Sequence, residues 1–192
     1  MQEITFVIVE NRWPERVKNL TDYISKNFPQ SPIAVKNDLP NEKIVYDRFC
    51  SVELSALFST SHCIVCQLDG YPINPSQWDE SWLEYDYIGA PWPNGWLAQH
   101  GYPFDSRVGN GGFSLRSKRL CDALAQEEFE QMPDDVFVSG RMRDKMEKSG
   151  LLYASPEVAI HFSKEHNVPE YNSSIKTFGF HSSIINPQWS SF

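Results

Sequence analysis

The hydrophobic pattern changes period along the chain, and each change predicts an element. Ile4-Thr5-Phe6-Val7-Ile8-Val9 is a near-continuous β-branched and apolar run, which predicts a strand covered on both faces of an α/β sheet. Pro14 suits the first turn of a helix. Val17, Leu20, Ile24 and Phe28 then recur at spacings of three and four, forming one core-facing stripe. Pro29 and Pro32 end that helix, and Ile33-Ala34-Val35 reads as a second short strand, a β-α-β start with a right-handed crossover.

Ile44-Val45-Tyr46 predicts a short strand or turn, and Ser51 to Phe58 a helix. Cys63 to Leu68 is the next strand and ends at Asp69-Gly70; Tyr87-Ile88-Gly89 and Gly112 to Leu115 predict two more. Ser117 suits the N-cap of a helix carrying Leu120, Leu124 and Glu128. Asp134 or Asp135 caps a further helix running through Met146, with Gly150 as its terminator. From Pro156 onward the pattern is irregular. Between Ala90 and Val108 lies a long stretch rich in Pro, Gly, Trp and Tyr, and its aromatics favour a functional loop over a disordered one. No repeat, low-complexity tract or boundary divides residues 1–192, so one domain is expected.

Composition narrows the function. Of the 192 residues 41% are hydrophobic and 14% aromatic, enough for a packed core without staples. The net charge of −8 leaves no basic stripe for nucleic acid. An anionic substrate therefore needs a local device such as a metal ion, a helix N-terminus or a few arginines. Met1-Gln2-Glu3 has no positive n-region and Ile4–Val9 is too short for a signal segment, so no transmembrane segment and a cytoplasmic location are expected. The acceptor motifs Asn19-Leu20-Thr21 and Asn172-Ser173-Ser174 then carry little weight. Cys63 and Cys66 have redox or zinc-knuckle spacing, but residues three apart on a strand face opposite sides and no second pair completes a zinc site. With Cys50 and Cys121 they read as small buried hydrophobes.

Three motifs carry candidate chemistry. Asp69 follows a predicted central strand, where open α/β sheets bind ligands, and an Asp there can hold Mg²⁺ or Mn²⁺ on a diphosphate; Asp-Gly is equally a turn dipeptide. Gly109-Asn110-Gly111-Gly112 offers backbone that a ligand can approach closely, or a plain glycine turn, and no Gly-Lys-Ser/Thr follows it as in a P-loop. Asp134-Asp135 stands at a helix start, as acidic caps do, or turns one carboxylate toward a substrate hydroxyl. His181 follows Phe178-Gly179-Phe180, while His62, His100, His161 and His166 show no partner spacing. The absence of Gly-x-Ser-x-Gly and His-Glu-x-x-His weakens serine-hydrolase and zinc-protease readings.

Val7-Ile8-Val9-Glu10-Asn11-Arg12, Gln67-Leu68-Asp69-Gly70, Asp86-Tyr87-Ile88-Gly89-Ala90-Pro91-Trp92, Val108 to Arg116 and Phe178-Gly179-Phe180-His181 resemble a family catalogued as a domain of unknown function, the DUF5672 type, which is regarded as glycosyltransferase-like. A looser resemblance reaches the GT-A nucleotide-sugar glycosyltransferases. It implies an α/β fold, a single GT-A-like domain over 1–192 with a mixed, mostly parallel sheet flanked by helices. It makes Gln67-Leu68-Asp69 the counterpart of an Asp-x-Asp metal motif, with Gln67 replacing one carboxylate. Asp69 and His181 would hold Mn²⁺ or Mg²⁺, and Glu10 and Arg12 would lie at the nucleotide. Asn110, Gly111, Gly112 and Phe113 would lie beneath the donor sugar, Trp92 and Trp96 would wall the acceptor, and Asp135 of the Asp134-Asp135 pair would be the base.

The implied activity is inverting transfer of a sugar from a nucleotide-sugar donor to a glycan or other hydroxyl acceptor. Two rivals stand beside it: a catalytically inactive sugar- or nucleotide-binding module on the same fold, and a metal-dependent phosphoesterase or glycosidase with paired carboxylates.

Overall fold

The near-continuous apolar run near the N-terminus sits inside a five-stranded sheet, where all six of its side chains are buried. A computed structural model describes residues 4–171 and 174–181, so Asn172 and Ser173 of the second acceptor motif lie outside the described residues. In chain order its elements are β1 (Ile4–Val9), α1 (Pro14–Asn27), β2 (Ile33–Lys36), α2 (Lys43–Arg48), β3 (His62–Cys66), β4 (Gly70–Pro72), β5 (Tyr87–Ile88), β6 (Ala90–Pro91), α3 (Trp96–Gln99), β7 (Val108–Gly109) and β8 (Phe113–Ser117). They continue as α4 (Lys118–Leu124), α5 (Asp134–Val136), α6 (Arg143–Lys148), α7 (Pro156–Phe162), β9 (Ser163–Lys164) and β10 (Gly179–His181).

The main sheet has the order β2-β1-β3-β8-β5. β1 pairs in parallel with β2 and β3, whereas β8 runs antiparallel to β3 and β5. The sheet is therefore mixed: β2, β1, β3 and β5 run in one direction and β8 alone is reversed. The reversal has a functional consequence. Cys66 at the end of β3 pairs with Phe113 at the start of β8, so the glycine segment preceding β8 arrives beside the turn that follows β3. A second sheet, β4-β10-β9, pairs Gly70 with His181 and brings the end of the described chain to the same place.

Helices and helical turns cover both faces. Phe6, Ile8, Ile64 and Cys66 pack with Val17, Leu20 and Ile24 of α1 and with Phe28, as the stripe predicts. Val7, Val9, Cys63 and Val65 pack against Phe49, Cys50, Leu54 and Cys121 on the other face. Cys63 and Cys66 thus point to opposite sides, and all four cysteines are free and buried. Among the described residues no helix is long and apolar enough to cross a membrane.

Several boundaries differ from the sequence expectation. Ile44-Val45-Tyr46 lies in α2, not a strand, and the helix continues through a π turn (Phe49–Glu53) and a 3-10 turn (Leu54–Leu57). Lys43 bonds Asp47 one turn on, at 2.7 and 2.8 Å, so local pairing and one-sided burial override the β-branched preference. Ser117 caps α4 as expected, accepting from Leu120 N at 3.0 Å, but the helix stops at Leu124, short of Glu128. The expected helix from Asp134 to Met146 is broken into α5, a π turn (Phe137–Arg141) and α6. Gly150, at φ 89°, follows as the left-handed terminator. The stretch after Pro156 forms α7, because Ala159, Ile160 and Phe162 bury one face beneath the sheet connections.

Gly109 has no room for a side chain, since a Cβ there would lie 1.7 Å from the Trp92 ring. Gly109→Ala should lower stability by about 1–3 kcal/mol or more through overpacking. Gly101→Ala, at φ 82° with open space around it, should lose only about 1–2 kcal/mol of left-handed strain. Denaturant unfolding of both variants checks the order; an equal or smaller loss for Gly109→Ala would contradict the packing described.

Candidate active site

The reversal after β3 creates a cleft of about 630 Å³ at the carboxyl ends of β1 and β3. Gln67 N donates to Gly70 O at 2.8 Å and Gly70 N to Gln67 O at 3.1 Å, closing a two-residue turn with Leu68 and Asp69 at its tip. The motif is therefore both a turn and a cleft wall: Leu68 is buried and the Asp69 side chain is 51% exposed. Gly111, Gly112, Asp134, Asp135 and His181 also line the cleft, with Gly112 and His181 beside Gly70.

Gly112 gives the site its width. A Cβ on it would stand 2.3 Å from His181 Nε2 and 2.7 Å from Gln67 Oε1. Asn110, the one non-glycine residue with positive φ among the described residues (75°), makes the turn. Its Oδ1 accepts from Gly112 N at 3.1 Å and Phe113 N at 3.3 Å, an Asx-type turn that suits Asn in the left-handed region. Asn110 is thus fully buried and shapes the loop from within, and does not face the cleft as expected.

His181 sits at the centre of a polar network. Its Nδ1 donates to Glu165 Oε1 at 2.9 Å, while its Nε2 is hydrogen-bonded to Gln67 Oε1 at 3.1 Å and lies 3.7 Å from Asp69 Oδ1. Gln67 Nε2 in turn donates to the Tyr46 hydroxyl. Glu165 Oε2 lies 3.3 Å from His166 Nε2, an ion-pair contact without hydrogen-bond geometry. Burial pushes the Glu165 carboxyl up, but His166 and His181 outweigh it and hold the group down at about 2. Burial likewise opposes charge on His181, yet Glu165, then Asp69 and Asp135, raise its pKa above the usual value.

Asp134 and Asp135 have separate fates. Asp134 is buried against Arg116, whose Nη2 donates to Oδ2 at 2.8 Å; Arg116 also donates to Cys50 O at 2.6 Å and Ser114 Oγ at 3.0 Å. A Cβ on Gly111 would fall 2.2 Å from that same Asp134 oxygen, so the second glycine makes room for the ion pair. Asp134 is committed to structure and not to proton transfer. Asp135 stands at the cleft wall, its Oδ1 accepting from Val136 N at 2.8 Å. Burial first, then the charges of Asp134 and Glu165, push its pKa up to about 7 against the pull of Val136 N and His181.

The remaining expected residues divide. Glu10 and Arg12 line the β1 end of the cleft but grip each other, Arg12 Nε and Nη2 donating to the two carboxylate oxygens at 2.8 and 2.7 Å. Trp96 lines the cleft, whereas Trp92 is fully buried beneath it, rings stacked at 4.7 Å and 16°, and offers no face to a ligand. Phe113 is also core, stacked on Phe162 at 5.1 Å. Sequence reasoning missed Tyr46, Arg116 and Glu165. An arginine at an inward position of a strand was a visible signal; Glu165 and its partner His181 are sixteen residues apart and had none.

Among the described residues no three His, Cys, Asp or Glu side chains converge on one point. Asp69 and His181 nevertheless fit a shared divalent cation: two ligands each about 2.1 Å from one ion lie at most about 4.2 Å apart, and these donor atoms are 3.7 Å apart. Mg²⁺ and Mn²⁺ commonly take only one or two carboxylates and complete their shell with phosphates and water.

Two predictions follow from the acidic pair. Arg116→Met leaves Asp134 buried and unpaired and should destabilise by about 3–5 kcal/mol. Adding Asp134→Leu should recover a large part of that loss in denaturant unfolding, and simple additivity would contradict the pairing. For Asp135, the folded carboxyl holds its proton up to about pH 7, while the unfolded one loses it near pH 4. Ionisation therefore favours the unfolded chain increasingly from about pH 4 to 7 and levels off above. Asp135→Asn should match the wild type in Tm at pH 4 and exceed it by a margin that grows to pH 7; a margin independent of pH would contradict the shift.

The family model described as a protein of unknown function (DUF5672) matches residues 30–181. A comparison with curated proteins finds no match. The matched stretch includes β3, the glycine segment, Asp134-Asp135 and His181, and with more than half its length covered the chain belongs to the DUF5672 family.

Proposed function

We propose that this chain is a GT-A-like glycosyltransferase that moves a sugar from a nucleotide diphosphate sugar to an acceptor hydroxyl with inversion. The observation that carries this reading is the gathering, in one cleft, of a carboxyl poised near pH 7, bare glycine backbone, and an Asp–His pair at cation-sharing distance. A general base works best when its pKa lies near the operating pH. Asp135 accepts the proton of the acceptor hydroxyl as that oxygen bonds to the anomeric carbon. The bond from that carbon to the β-phosphate oxygen breaks, and its electron pair leaves with the nucleotide diphosphate.

Mn²⁺ or Mg²⁺ on Asp69 and His181 would neutralise charge on the departing diphosphate. Gly111 and Gly112 let the donor lie against the backbone, and Arg12, Lys36 and Lys43 line the cleft, paired with Glu10, Asp38 and Asp47. Trp96 borders the side where the acceptor enters. The second reading, an inactive nucleotide-sugar-binding module, draws on Gln67 in place of a carboxylate and on Glu10 and Arg12 bonded to each other.

A thermal-shift screen of nucleotide sugars with Mn²⁺ tests donor binding, because a donor at one hundred times its Kd stabilises by about 2.7 kcal/mol. With the donor found, Asp135→Asn should lower transfer by about 10²–10⁴-fold while leaving donor Kd within about twofold. Undiminished transfer in the variant would remove Asp135 as the base. Donor binding without transfer by the wild type to any acceptor would favour the inactive module, and the absence of any donor shift would sink both readings.

A further inference from the structure

Away from the cleft, a second cavity of about 320 Å³ opens where three segments meet. These are the helical turns Pro75–Gln77 and Glu80–Glu84, helix α7, and the approach to β10 that carries Lys176. It shares no lining residue with the cleft. Backbone groups fasten its walls together: Phe178 N donates to His161 O at 2.9 Å, and Asn74 Nδ2 donates to Thr177 O at 2.7 Å. Trp82 forms its buried base, edge-on to Trp78 and Phe162 with ring centroids 5.3 Å apart in both pairs. The partly exposed Tyr85 also lines it. Core packing therefore holds the cavity in shape without a ligand.

Its polar lining is left open for partners. Among the described residues the side chains of Gln77, Tyr85, His161 and Lys176 make no hydrogen bond or ion pair. Asp79 Oδ1 accepts from Ser81 N at 2.9 Å and Glu157 Oε1 from the Tyr171 hydroxyl at 3.2 Å, but a carboxylate offers about four lone pairs, so both can accept more. Ser81 N holds the Asp79 carboxyl, and Ser155 the Glu157 carboxyl, below the usual range, so both are ionised at neutral pH.

This lining selects one class of ligand. The two carboxylates repel a polyanion, and an apolar ligand would cover polar groups without pairing them. A hydroxyl both donates and accepts. A sugar ring therefore donates to Asp79 and Glu157 while it accepts from Lys176 and Gln77, and its C–H face suits the aromatic surface of Tyr85 and Trp82. The volume stands at the small end of the range of about 300–1,000 Å³ for ligand pockets, which suits a mono- or disaccharide. We propose that this cavity is a second saccharide site, holding a neutral sugar between the Asp79 and Glu157 carboxylates and Lys176, against Tyr85 and Trp82. It goes beyond the proposed transfer reaction and stands without it. Lys176 and His181 are five residues apart, at most about 18 Å of extended chain, so a glycan seated here stays near the cleft.

The test is an NMR titration of the ¹⁵N-labelled full chain with maltose, cellobiose, lactose and N,N′-diacetylchitobiose, and with inorganic phosphate as the anionic comparison. At least one disaccharide should shift the Trp82 indole N–H together with the Ser81 and Val158 amides while leaving Gly111 and Gly112 in place. Lys176→Ala and Glu157→Ala should each weaken that disaccharide about tenfold, the effect of losing a hydrogen bond to a charged group. Both positions are exposed, so the variants should keep the fold, which thermal unfolding checks. If one does not fold, Tyr85→Phe, which removes only the hydroxyl, takes its place and should also weaken binding. No shift with any disaccharide, shifts confined to Gly111 and Gly112, or unchanged affinity in the folded variants overturns the site. Phosphate bound more tightly than every disaccharide overturns the neutral ligand. A disaccharide bound here by a protein that binds no nucleotide sugar upholds this site and sinks the transferase reading, so the two fail separately.

Discussion

A fully buried guanidinium organises this molecule. Arg116 lies on β8, between β3 and β5, and donates to Cys50 O from the π turn, Ser114 on its own strand and Asp134 at the start of α5. A buried ion pair does not by itself add much stability, but losing one partner strands a charge in the interior. Three segments distant in sequence are therefore held to one another by a group that none of them can release cheaply. Gly111 must be glycine because the paired carboxylate occupies the place of its Cβ. Burial first, and then the Asp134 carboxylate, push the Asp135 carboxyl up. The ion pair thus shapes the loop and tunes the Asp135 carboxyl beside it.

The second constraint is topological. Because β8 reverses direction beside β3, the glycine segment and the Gln67–Gly70 turn share one end of the sheet. β10 pairs with β4 and adds His181 to that end. A parallel β8 would have put the glycines at the opposite end of β3, where they could not face Asp69. The cleft is a consequence of one antiparallel pairing as much as of any motif.

Much of the first half of the fold was legible because burial on both faces leaves near-continuous apolar runs, as in β1 and in β3 from Cys63 to Cys66, and because α1 carries a clean stripe. Ile44–Tyr46 and the stretch after Pro156 were not. There, helix formation depends on which side meets the sheet, and short windows do not reveal that. Part of the cleft lining was legible at strand and turn ends, since Gln67, Asp69, Gly111, Gly112, Asp135 and His181 all line it. Trp92, Asn110 and Phe113 were misjudged for a shared reason: an aromatic or an Asn next to a glycine loop is as useful inside the loop as on its surface, and only packing separates the two. Glu165 was invisible because its role exists only through His181.

The account rests most on Asp135 as a carboxyl that changes charge near neutrality. Its direct measurement is a carbon-detected NMR titration of the Asp and Glu side-chain carboxyls, with the Asp135→Asn variant assigning the resonance. The account predicts one aspartate resonance with a midpoint near pH 7 that is absent from the variant. An Asp135 midpoint near pH 4, the ordinary aspartate value, would contradict it.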